Sequence, residues 1–74
     1  MSASARTKLS EVPFAELDIV RLRSMLYTDD GSIPAGSIGT IVFRHDRGAA
    51  FEVEFVKPFA VVATLRPADL APAV

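Results

Sequence analysis

The chain has 74 residues, half of them hydrophobic and 23 % charged, which is a globular balance in a length that makes one domain and buries only about 60 to 65 % of its unfolded surface. The absence of cysteine excludes disulfides and thiolate metal sites, and a single histidine, His45, excludes an imidazole cluster. Eight Lys and Arg against nine Asp and Glu give a net charge of -1, so no global positive field gathers nucleic acid.

Residues 1–14 open with a small, polar, aperiodic stretch that reads as a flexible N-terminal arm, and residues 15–74 read as the folded domain. Within "SEVPFAEL" a short helical turn is expected, with Ser10 capping it, Pro13 early in it and Val12, Phe14 and Leu17 apolar. No apolar run here reaches the roughly seven to fifteen residues of a signal peptide, and none in the chain reaches the eighteen or so of a membrane span. A cytoplasmic location without membrane attachment is the expectation.

"LDIVRLR", residues 17–23, alternates around β-branched residues and predicts a strand whose Val20 and Leu22 point inward. "MLYTDDGSIPAG" breaks all periodicity and is expected to be the longest loop. "SIGTIVFRH" predicts a second strand, with Ile38, Thr40 and Val42 on one face and Gly39, Ile41 and Phe43 on the other. Gly39 marks either a bulge or a close backbone approach. Asp46 and Gly48 suit a tight reversal, after which "FEVEFVK" alternates without error, Phe51, Val53 and Phe55 against Glu52 and Glu54. Pro58 ends that strand. "FAVVATLR" is β-rich and apolar on both faces, and "RPADLAPAV" predicts one turn begun near Pro67, with Leu70 returning to the core.

Short, evenly spaced strands with polar turns predict an all-β fold, and a small barrel is the form that protects their edges. The order "DIVRL", "IPAGSIGTIV", "FEVEFV" and "LRPADLAP" resembles a small bacterial family of unknown function, the domain of unknown function 4926. Asp18, Val20 and Leu22, then Gly36, Gly39, Thr40, Ile41 and Val42, then Phe51, Val53, Glu54 and Phe55 carry that resemblance, which spans roughly residues 15 to 73. More distantly the pattern is similar to SH3-like barrels of the KOW type and to the barrel of the nitrile hydratase β subunit. The resemblance implies a five-stranded SH3-like barrel and brings no catalytic signature.

Chemistry-bearing patterns are sparse. His45 beside Asp46 lacks the further ligands a metal needs, so solvated turn residues are expected there. Asp29, Asp30 and Ser32 lack the closing glutamate of an EF-hand, and Gly36 and Gly39 lack the Gly-Lys-Ser/Thr of a phosphate loop. The serines have no nucleophile context. The expectation is therefore a non-enzymatic protein-interaction module without cofactor or metal, serving as an accessory or regulatory partner of a larger protein. Met25, Leu26, Tyr27 and Ile33 in the long loop are the candidate partner contacts, since loops on rigid barrels commonly carry function. The apolar excess of "FAVVATL" suits either a homodimer or docking onto a larger protein. The alternative is an RNA- or DNA-binding barrel of the KOW type, reading phosphates with Arg21, Arg23, Arg44 and Arg47 brought together across the sheet.

Overall fold

The computed structural model describes residues 14–73. Among these residues seven strands run in chain order: β1 (Ile19–Leu22), β2 (Leu26–Thr28), β3 (Gly31–Ile33), β4 (Ile38–His45), β5 (Ala50–Phe55), β6 (Val61–Leu65) and β7 (Leu70–Pro72). Five form one antiparallel sheet in the order β6-β5-β4-β1-β7, and β2 and β3 form a separate hairpin. The fold is all-β, as expected, and its main sheet has five strands.

The inward residues were legible from alternation. Val20 and Leu22 of β1 and Phe51, Val53 and Phe55 of β5 are buried, joined by Phe14, Ile33, Ile41, Leu65 and Leu70 in one core. Burying large apolar side chains contributes about 1.5 to 3 kcal/mol each, so these ten residues dominate the stability of so small a domain. In "FAVVATLR" the inward set is Phe59, Val61, Ala63 and Leu65, which pack on or within the core. A 3-10 turn at Pro67–Asp69 then returns Leu70 to it, as the sequence predicts.

Four expectations need correction. Phe14, assigned to the arm, is a core residue whose ring meets Phe51 edge-on at 5.8 Å between centroids; Ser10, Val12 and Pro13 lie outside the described residues. In place of a helical turn, Ala15 to Asp18 make a tight reversal, in which the Asp18 carboxylate accepts the Ala15 N–H at 2.9 Å and Leu17 is left exposed. The long loop contains the β2–β3 hairpin, whose three-residue strands are too short to show a period. Finally, Phe43, expected on the face of Gly39 and Ile41, is turned outward by a bulge at Val42, while Gly39 makes the close approach, one of its two readings. Ile41 pairs with Val53 and Phe43 with Glu52, leaving Val42 without an opposite residue and turning Phe43 out of the core.

Gly39 shows why that position takes no side chain. A Cβ there would lie 2.7 Å from Val53 Cγ1, 2.9 Å from Phe55 Cε1 and 3.1 Å from the Glu54 carbonyl oxygen. Hydrogen bonds between Leu17 and Ile41 (2.7 Å) and between Ile41 and Asp18 (2.9 Å) extend the β1–β4 ladder past its regular register. The β4–β5 connection is a turn whose Asp46, Arg47 and Gly48 all have positive φ. Asp46 and Gly48 do make the reversal, with Arg47 at its tip.

Candidate docking surface

The two ends of β4 carry different chemistry. At the Ile38 end, the loop before the strand is held to β1: Gly36 N–H donates to Leu22 O at 2.7 Å, and Leu22 N–H donates to Ser37 O at 2.9 Å. Gly36 has a φ of 89°, and the Ser37 hydroxyl closes the turn on Pro34 O at 2.7 Å. Across from it, the segment Val56–Pro58 leaves β5 with a cis Lys57–Pro58 bond. Between these two loops lies an open groove of about 490 Å³, lined by Pro34, Gly36, Ser37, Ile38, Val56, Lys57 and Pro58. Its walls are mostly apolar, and Val56 is 67 % exposed.

Further exposed apolar residues lie on the outer face of the sheet, interspersed with Thr40, Glu52 and Glu54. Ile38 is followed along that face by Ile19, Val42, Phe43 and Val62, all roughly half exposed. Exposed apolar residues scattered singly need no explanation, but Ile38 in the groove wall and Ile19 diagonal to it across the β1–β4 pair enlarge an apolar groove into a contact surface.

At the other end of β4 three polar side chains, His45, Glu52 and Thr64, are paired with one another. With the proton on Nε2, His45 donates to Glu52 Oε2 at 2.7 Å, and the Thr64 hydroxyl donates to the same carboxylate at 3.0 and 2.8 Å. The His45 ring foremost, then the Thr64 hydroxyl, hold the Glu52 carboxyl below the ordinary glutamate range. Phe43 meets the His45 ring edge-on at 4.8 Å. This cluster joins β4, β5 and β6 and braces the outer face. Among the described residues no three His, Asp or Glu side chains gather to hold a metal ion.

The sequence names His45 beside Asp46, whereas the structure joins it to Glu52, seven positions on. The signal was available in the register: His45 pairs with Ala50, which puts outward-facing Glu52 diagonal to it across the hairpin.

The four candidate partner contacts divide. Tyr27 is 79 % exposed and Met25 half exposed, while Leu26 is partly buried against the core and Ile33 is fully buried within it, presenting no surface. The hairpin that carries them is closed by Thr28, whose hydroxyl donates to Gly31 O at 2.8 Å and accepts Asp30 N–H at 3.1 Å. Gly31, with φ of 134°, sits over the Phe59 ring, where a Cβ would come within 3.3 Å.

The four candidate arginines do not form one patch. Arg21 pairs with Ile38, and Arg44 lies six residues further along β4, or about 20 Å at a strand rise of 3.3 Å per residue. The antiparallel direction carries Arg23 further away still. Arg21 also spends two guanidinium donors on backbone carbonyls, Gly36 O at 3.2 Å and Ala73 O at 3.4 Å. Glu52 and Glu54 stand on the outer face between the two pairs.

Comparison with known proteins bears on identity and adds nothing about chemistry. No curated protein and no solved structure matches the chain significantly. A family model described as domain of unknown function (DUF4926) matches residues 16–71, running from the reversal before β1 into β7 and so covering β1 to β6, the groove and all of β7 but Pro72. The chain belongs to the DUF4926 family.

Proposed function

We propose that the protein is a small, non-enzymatic docking module of the cytoplasm, an accessory or regulatory partner that engages a larger protein through the groove and the apolar face beside it. The observation that carries this reading is the apolar groove between Pro34–Ile38 and Val56–Pro58, formed by loops on a rigid sheet, with exposed Ile38 in its wall and exposed Ile19 diagonal to it across the β1–β4 pair. Tyr27 and Met25, exposed on the hairpin, extend the candidate contacts beyond the groove.

An SH3-like barrel is the architecture we assign. Its support is the connectivity: the β4-β5-β6 meander, a 3-10 turn at Pro67–Asp69, and a final strand that crosses back to pair with β1. A sheet of this order, with its inner face wrapped round one core, leaves the chemistry to its loops.

The nucleic-acid alternative loses support from the arginine positions. Phosphate recognition needs several cations along one backbone track, and these lie in two pairs with carboxylates between them. The test is affinity recovery of partners from the native cell lysate with nuclease present, repeated over a salt series. The docking reading predicts a nuclease-resistant protein partner that survives high salt and is lost with Val56→Asp. Recovery only of nucleic acid, falling steeply with salt and with Arg44→Glu plus Arg47→Glu, would refute it.

A further inference from the structure

The sheet has two edges, and they are protected unequally. β7 is three residues long, ends at Pro72, which has no N–H to offer, and is followed by Ala73, whose N–H donates back to Ile19 O at 3.3 Å. Such shortness and proline are the usual means of blunting an edge. β6 has neither. Its five residues, Val61–Leu65, carry no charge and no proline, and they pair with β5 in unbroken register from Phe51↔Leu65 to Phe55↔Val61. Among the described residues no strand lies along the other side of β6.

In an antiparallel pair each residue turns its N–H and C=O toward one neighbouring strand, and alternate residues turn them the opposite way. The residues of β6 that do not bond to β5 therefore present a row of donors and acceptors to the open side. An extended strand is the chemical complement of that row.

We infer that β6 is a self-pairing edge, and that a second copy of this chain adds its own β6 antiparallel to it, joining two five-stranded sheets into one. A second copy fits for three reasons. The strand is self-complementary: about a twofold axis through Ala63, Val62 faces Thr64 of the second copy and Thr64 faces Val62, so that no charge opposes a charge. Val62, 52 % exposed in the single chain, gains a cross-strand neighbour on the outer face. A net charge of -1 per chain offers little repulsion to association. Five residues on each side make a small interface, so the dimer is weak and concentration-dependent.

The inference does not use the docking groove, whose lining excludes Val62, although Val62 also lies on the outer face beside it. It is tested on the full chain by sedimentation equilibrium from about 10 µM to about 1 mM, where small transient interfaces populate. The expected result is a mass that rises toward twice the monomer. Val62→Lys, which places a charge on the edge, is expected to weaken self-association at least tenfold, while Tyr27→Lys on the hairpin and Val56→Asp in the groove leave it unchanged. Amide exchange of the unsubstituted chain supplies a readout that does not depend on any variant folding: alternate β6 amides gain protection as concentration rises, while β7 amides do not. A wild-type mass that stays monomeric throughout would overturn the inference. So would a folded Val62→Lys chain that associates like wild type. Equal protection of β6 at low and high concentration would also overturn it, because another segment would then already cover the edge.

Discussion

The His45 end of β4 and the Ile38 end are built from the same strand pair, yet one joins polar side chains of three strands to one another and the other exposes an apolar groove. At the first, the imidazole, a carboxylate and a hydroxyl from three strands bond to one another, and the polar groups are used in holding the sheet. At the second, Ile38, Val56 and two prolines frame a groove whose apolar surface is exposed among the described residues. The difference teaches where to look for function. Internal pairing at one end lowers what that end can offer a partner, and exposed apolar surface at the other is a standing driving force for association.

The largest effect that could break this comparison is loss of the fold that separates the ends. Val53→Asp puts a carboxylate into a site with no exposure, at a cost of at least about 4 kcal/mol, and is expected to abolish cooperative thermal unfolding. Gly39→Ala is next. Its Cβ must displace Val53, Phe55 and a backbone carbonyl, so destabilisation of about 1 to 3 kcal/mol is expected in denaturant titration.

Acidification sharpens the comparison at the polar end. Glu52 has a folded-state value below its ordinary 4.5, so it binds protons more readily unfolded than folded. Its contribution is full above 4.5 and is lost as pH falls through the lower folded value. Glu52→Gln is expected to flatten the acid limb of the melting temperature against pH and to leave the groove's binding intact. The smallest effect belongs to Glu54→Lys, on the same face but without the bonds of Glu52. A change within about 0.5 kcal/mol is expected by thermal melt.

How much of this was readable in the sequence depends on the range of the interaction. β5 was fully legible because its period of two is a property of six consecutive residues, and Val20 and Leu22 followed by the same logic. The bulge at Val42 was not, since an extra residue on one strand is defined only against its partner. Ile33 read as a loop residue because its strand spans three positions, too few for a pattern, and its burial is set by the sheet beneath it. The groove has no local signature at all. Its two walls lie some twenty residues apart in sequence and meet only because β4 and β5 pair. The arginines failed for the same reason in reverse, as neighbours in composition that the register separates.

The central claim is that partners engage the groove end of the sheet, and one measurement addresses it directly. Partner recovery from nuclease-treated lysate is compared for the wild-type chain, Val56→Asp at the groove and the double variant Arg44→Glu, Arg47→Glu at the far end, each first shown to melt like wild type. The account predicts that Val56→Asp loses the partner at least tenfold while the double variant keeps it. Retention by Val56→Asp together with loss by the double variant would place the contact at the opposite end and contradict the account.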